Sequence, residues 1–213
     1  MTSLWDRSAL DLLTQAASRA PTPGGGSTAA LSGAFGAALL AMALEISLDK
    51  SWREEDHPRR RELLAELTAE RERLQALADE DTRAFGGFVE AARLPEDTEE
   101  QRRVRDEARQ EAARRAARTP LDIARAGVEA LSLAPHALDL SHPEVVSDVG
   151  AGASLLRGAV QAALLTVDIN LPVLPDGEAV TFRTQRDDLE HRAQALADGV
   201  LRAVRQRLAE RRE

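Results

Sequence analysis

The stretch Ala20-Pro21-Thr22-Pro23-Gly24-Gly25-Gly26-Ser27-Thr28-Ala29-Ala30-Leu31-Ser32-Gly33-Ala34-Phe35-Gly36 decides how the chain is read. Two prolines and three consecutive glycines forbid a helix from Pro21 to Gly26. Ser27 is a good N-cap, and the Ala/Leu-rich run after it predicts a helix over 27–49. Ala30, Gly33, Ala34, Ala37, Ala38 and Ala41 recur along it. Small residues at that spacing let helix backbones approach closely, so this helix is expected in the middle of a bundle or at an interface. The glycines also let backbone N–H groups approach a ligand, and a helix N-terminus favours an anion there. A plain loop between helices is the simpler reading of the same residues. The stretch is not a Walker A loop, because no Gly-Lys-Ser/Thr follows, and not a dinucleotide fingerprint, because no strand precedes it.

Outward from this stretch the periodicity is helical throughout. Residues 3–19 predict a helix with Ser3 as N-cap and Asp6 three residues on. Pro58 can open a helix over 58–92, whose seam reads Leu63, Leu67, Glu70, Leu74, Leu77, Asp81, Ala84, Phe88 in steps of three and four. Thr98 and Gln101 form a capping box for a densely charged helix to about Arg118, whose charge run reads as a solvated face. Thr119-Pro120 is expected to restart a helix to about Ala137. Ser141 to Glu144 reads as another capping box, leading into 145–170, which is apolar almost all round and therefore buried. Pro172, Pro175 and Asp176-Gly177 predict a loop over 171–184, and a last helix runs about 185–211. The expected fold is all-α: a single domain over 1–213, a bundle of about seven mostly antiparallel helices.

Composition narrows the function. The 213 residues are 43% apolar and 30% charged, as in a globular protein, and aromatics at 3% leave the core to Leu, Ala and Val. There are no cysteines, hence no disulfide framework or thiolate chemistry. A net charge of −8 argues against bulk nucleic-acid binding. The N-terminus lacks the basic start and apolar run of a signal peptide, and the longest apolar stretches are interrupted by polar residues. The expectation is a cytoplasmic protein with no membrane or nucleic-acid partner. No His/Asp/Glu spacing resembles a metal site. Arginine supplies all but one of the 28 basic residues, so Lys50 is the only lysine, and Asn170 is the only asparagine. Rarity of this kind can mark a chemical requirement, or chance.

Two carboxylates stand out. Asp81 lies among Leu77, Ala84, Phe85 and Phe88 on an apolar seam, which suits a functional acid or a bundle-end carboxylate capped by an arginine. Asp148 lies in the first turn of the buried 145–170 helix, where the dipole favours its charge whether or not it is functional.

Several motifs together resemble the cyclodeaminase/cyclohydrolase family, which comprises the cyclodeaminase domain of formiminotransferase-cyclodeaminase and stand-alone methenyltetrahydrofolate cyclohydrolases. Pro21 to Ser27 before a small-residue helix is similar to its signature. Asp81-Thr82-Arg83-Ala84-Phe85 resembles its Asp-x-x-Ala-Phe, and Thr119-Pro120-Leu121 its helix-opening proline. His142 to Asp148 resembles its Asn-x-x-x-x-Ser-Asp, and Ala163 to Leu171 its Leu-x-Asn-Val-x-Ile-Asn-Leu. Lys50 falls where the family usually has lysine. The likeness covers about residues 8–171. His142 and Thr166 each replace a common Asn, Asp49 replaces a common Gly, and the Pro-rich 171–184 segment is unlike the short polar one expected.

The resemblance implies a helical homodimer with a folate site near the subunit interface. It also implies a reaction on the N5–C–N10 bridge of a tetrahydrofolate derivative, with no permanently bound cofactor and no metal. A cyclohydrolase adds water to the 5,10-methenyl carbon to give 10-formyltetrahydrofolate. A cyclodeaminase closes the 5-formimino group to methenyl and expels ammonia. Both need a proton shuttle and an anion near a cation, which is work for carboxylates. On this reading Asp81, Asp148 and Lys50 are catalytic, and Pro23, Gly24, Gly25, Gly26, Ser27, Phe85, Ser147 and Asn170 bind substrate. A non-catalytic scaffold that keeps the fold is the alternative that the departures support. A coiled-coil module is opposed by the buried 145–170 helix.

Overall fold

The structure is a computed structural model and describes residues 2–210. Seven α-helices follow one another, with no strand among the described residues: α1 (Ala9–Ala16), α2 (Gly25–Asp49), α3 (His57–Ala92), α4 (Glu99–Ser132), α5 (Ala134–Leu140), α6 (Val146–Asn170) and α7 (Asp176–Glu210). The all-α expectation holds.

α2 is the axis of the bundle and packs chiefly on α6 and α3. Its N-terminal end lies beside the C-terminal end of α6, as Gly25 faces Thr166. Lys50, at its other end, pairs with Glu144 just before α6. The two helices are therefore antiparallel. Their contact is backbone-close because a Cβ on Gly36 would lie 2.8 Å from Leu156 Cγ and 2.9 Å from the Gly152 carbonyl, and one on Gly152 would lie 2.7 Å from the Gly36 carbonyl. Gly33 sits against Ala159 on the same seam. Both helices are long and apolar enough to cross a membrane by composition, and each buries half or more of its most apolar window inside the bundle. α3 contributes Leu63, Leu67, Leu74 and Ala78 to the core, and α4 contributes Leu121, Ile123, Val128 and Leu131.

Element boundaries differ from expectation where tertiary contacts overrule local signals. Ser27 does not cap α2; Gly24 occupies the N-cap without a side-chain bond, and the helix begins inside the glycine run. Ser3 caps only the short turn Leu4–Asp6, and Ser8 caps α1. The expected break at Thr119-Pro120 is absent: α4 runs through, with both residues buried. Proline forfeits one backbone bond there, and burial of Ala117, Leu121 and Ala124 around it holds the two halves in line. The Thr98–Gln101 capping box is formed as expected. Ser141 bonds back to Ala137 O instead of capping α6, and His142 caps the turn Pro143–Val145. The loop expected over 171–184 is only a turn, and α7 starts at Asp176, its first turn held by the Glu178–Arg114 ion pair at 3.1 Å.

Candidate active site

At one end of the bundle the chain from Pro21 to Gly26 closes over α3, α4 and α6. It encloses a cavity of 340 Å³ lined by Pro21, Thr22, Gly24, Gly25, Gly26, Asp81, Ala84, Phe85, Phe88, Ala116, Thr166, Ile169 and Asn170. That volume is in the range of small-molecule sites. Gln15 Nε2 donates to Thr22 O at 3.0 Å and so ties the loop to α1. The Thr22–Pro23 peptide is cis, and Pro23 itself is buried, so it shapes the loop from behind.

Asp81 is the only ionisable side chain lining the cavity. Ser27 is fully buried, and its hydroxyl donates to Asp81 Oδ2 at 2.7 Å. Burial pushes the Asp81 carboxyl above the usual carboxylate range, while the Ser27 hydroxyl and amide pull the other way by favouring the ionised form. The other carboxyl oxygen faces Gly26 so closely that a Cβ there would lie 2.2 Å from Oδ1. The glycine is thus required for the approach of the α2 N-terminus to this acid, and the positive end of the helix dipole meets its charge. The three glycines differ accordingly, since a Cβ on Gly25 would meet only Thr166 Oγ1 at 3.5 Å and one on Gly24 the Pro21 carbonyl at 3.3 Å.

Asn170 closes the opposite wall. Its Nδ2 donates to Ala116 O at 3.0 Å and Thr166 O at 2.7 Å, which fixes the amide and leaves Oδ1 without a protein donor among the described residues. Phe85 is 38% exposed and Ile169 76% exposed, so the cavity mouth is apolar. A larger cleft of 560 Å³ adjoins it through Ala84, between α3 and α4. Its rim carries the exposed pairs Glu80–Arg83 and Glu111–Arg115.

The remaining candidates gather at the other end of the bundle. Lys50 Nζ lies 2.7 Å from Glu144 Oε2. Ser147 is exposed and Asp148 half-buried in the first turn of α6. The His142 amide donates to Ser47 Oγ at 2.7 Å, its Nδ1 accepts from the Glu144 amide, and its ring meets Trp52 edge-on. Asp148 and Thr166 share α6 and stand about 27 Å apart at 1.5 Å per residue. Within one chain, therefore, Asp81 and Asp148 do not form a pair. Gly24, Gly25, Gly26, Ser27, Phe85 and Asn170 are brought together around Asp81; Pro23 is buried and does not line the cavity, and Lys50, Ser147 and Asp148 lie at the far end. Among the three departures, only Thr166 lies in the cavity; His142 and Asp49 belong to the far end. Sequence reasoning missed Thr82, whose hydroxyl lies 3.2 Å from that of Ser27; its position beside Asp81 was the available signal. No group of three or more His, Cys, Asp or Glu suited to a metal occurs among the described residues.

Residues 8–189 match the family model described as formiminotransferase-cyclodeaminase. The chain belongs to this family. It is 33% identical over 160 residues to a methenyltetrahydrofolate cyclohydrolase of Methylorubrum extorquens, covering 75% of this chain and 77% of that one. It is 36% identical over 180 residues to the formimidoyltransferase-cyclodeaminase of Mus musculus, covering 82% of this chain but 32% of the mouse protein, so it spans about a third of that relative. The crystal structure of a formiminotetrahydrofolate cyclodeaminase from Thermotoga maritima superposes with a TM-score of 0.77 at 25% identity, over 97% of this chain and 98% of that one.

Proposed function

We propose that the protein is a folate-dependent one-carbon enzyme that hydrolyses 5,10-methenyltetrahydrofolate to 10-formyltetrahydrofolate. The observation that carries this reading is Asp81: one half-buried carboxyl, in a cavity with no other charged side chain among the described residues, under a glycine-rich helix N-terminus. The methenyl bridge is cationic, and the ionised carboxylate favours it there. As water adds to the bridge carbon, Asp81 takes one of its protons and a neutral tetrahedral carbon forms. The carbon–N5 bond then breaks, N5 receives a proton, the hydroxyl proton leaves, and the carbon becomes the N10 formyl group. One proton is released overall. An acid raised above the usual carboxylate range by burial can both accept and return that proton. The Thermotoga relative favours a second reading for the same site, in which Asp81 protonates the departing ammonia as 5-formiminotetrahydrofolate closes.

The site is read as completed by a second copy of the chain. α2 leaves Phe35 60% exposed and Met42 exposed, and α6 leaves Leu155 and, at 67%, Leu165 exposed; Gly36 and Leu156, beside Phe35 and Leu155, touch each other. Two packed helices thus share an uncovered apolar stripe of the kind that marks an interface. A two-fold axis that lays α2 antiparallel on its counterpart carries the Lys50–Asp148 end of one copy towards the Asp81 cavity of the other. On this reading Asp148 supplies a fixed anion and Lys50 and Ser147 orient the folate.

Loss of methenyl absorbance, with ammonia release from 5-formiminotetrahydrofolate measured in parallel, tests the assignment. Asp81→Asn is expected to lower turnover at least about 10²-fold, the lower bound for removing a proton-transfer group, in a protein that stays folded. Ammonia release without methenyl hydrolysis moves the assignment to the cyclodeaminase. Turnover of neither substrate by the folded wild type leaves a non-catalytic scaffold.

A further inference from the structure

We propose that Ser27 and Thr82 are positioning residues: a two-hydroxyl chain that reverses direction as Asp81 gains and loses its proton. The geometry is a line of four groups. Asp81 Oδ2 lies 2.7 Å from Ser27 Oγ, Ser27 Oγ lies 3.2 Å from Thr82 Oγ1, and Thr82 Oγ1 lies 3.5 Å from the Ala78 carbonyl. Each hydroxyl has one proton and can donate in either direction. When Asp81 is ionised, Thr82 donates to Ser27 and Ser27 donates to the carboxylate. When Asp81 carries a proton on Oδ2, the carboxyl donates to Ser27, Ser27 turns to Thr82, and Thr82 turns to the Ala78 carbonyl. No heavy atom has to move.

The arrangement matters because Ser27 is fully buried. A donor fixed on Oδ2 would be stranded whenever the acid proton sat on that oxygen, at about 1–3 kcal/mol for a buried unsatisfied group. A second acceptor at Thr82 removes that penalty and lets both proton states of Asp81 persist in one packing. Among the described residues nothing else charged lines the cavity with the carboxyl. Loop and α2 present Pro21, Thr22 and Gly24 to Gly26; α4 presents Ala116; α6 presents Thr166, Ile169 and Asn170. On α3 itself Glu80 is paired outward with Arg83, and Asp79 accepts from Ser3 Oγ and the Leu4 amide. Burial is therefore the main influence on this acid, the Ser27 hydroxyl and amide oppose it directly, and Thr82 acts through the Ser27 hydroxyl.

The chain makes opposite demands on two variants. Ser27→Ala removes the donor to the carboxylate and should move the Asp81 titration up by about one pH unit. Thr82→Val removes the alternative acceptor, which strands Ser27 only when Asp81 is protonated, so its titration should move down. Thr82→Ser restores the hydroxyl and should titrate like the wild type. The measurement is the carboxyl-carbon NMR titration of Asp81 in the ligand-free protein, assigned by its loss in Asp81→Asn. The pH profile of methenyl hydrolysis should shift in the same senses. The proposal rests on the reading that Asp81 exchanges a proton in catalysis, but the ligand-free titration stands even if neither folate is turned over. Wild-type titration in both Ser27→Ala and Thr82→Val, or shifts of the same sign, overturns the chain and leaves the hydroxyls as packing.

Discussion

Asp81 works against the stability of its own fold. Its carboxyl is raised by burial, so between its unfolded and folded titrations the folded chain holds a proton that the unfolded chain has released. Stability then falls as pH rises through that window, and the deficit persists in full above it. Asparagine carries no charge to bury, and its carbonyl can still accept from Ser27. Asp81→Asn is therefore expected to melt higher than the wild type at pH 8 and close to it at pH 3.5, while losing activity. Differential scanning calorimetry at the two pH values checks this, and an equal difference at both would show that burial of the charge is not its source.

Among the elements, the crossing of α2 and α6 is the contact on which the site depends, because it holds Gly25 against Thr166 and hence the glycine loop over the cavity. Gly152→Val is expected to destabilise by about 3 kcal/mol, the upper range for overpacking, since the first added carbon meets the Gly36 carbonyl at 2.7 Å, a backbone atom that cannot rotate away, as well as Leu40 at 3.1 Å. Gly199→Ala on α7, where a Cβ meets nothing within 4 Å, should instead stabilise by about 0.5–1 kcal/mol through helix propensity. Urea denaturation of the two variants measures both. The same crossing explains what the sequence made legible. The small-residue pattern of 28–44 marked one helix as central or interfacial, the all-apolar 145–170 segment marked another as buried, and the seam through Leu74, Leu77 and Ala84 put Asp81 on an apolar face. Helix ends were harder. A glycine run reads as a breaker, yet α2 begins inside it because Asp81 receives its N-terminus. Pro120 reads as a start, yet core packing on both sides carries α4 through it. Asp176-Gly177 reads as a turn, yet Arg114 on α4 holds Glu178 in helix.

For the whole molecule the decisive fact is that the candidate groups lie at two ends of one helix pair. Gly26 and Lys50 stand about 36 Å apart along α2 at 1.5 Å per residue. Periodicity shows each acid on its helix, but says nothing of which acids meet when the partner face belongs to another copy. A site shared between copies has a consequence that a site within one chain lacks. In the proposed homodimer, Asp81→Asn and Asp148→Asn would each disable every site of their own dimer. In a mixed dimer one site combines both variants and is dead, while the other combines two intact ends and is active. Unfolding and refolding the two variants together at equal amounts places half of the dimers in the mixed class, so about one quarter of wild-type turnover should return from two nearly inactive parents, as two-fold symmetry requires. Light scattering on the same samples establishes the dimer. Recovery of no activity from a mixture shown to exchange subunits would overturn the shared site, and an Asp148→Asn parent as active as the wild type would leave the Lys50–Asp148 end without a part in the chemistry.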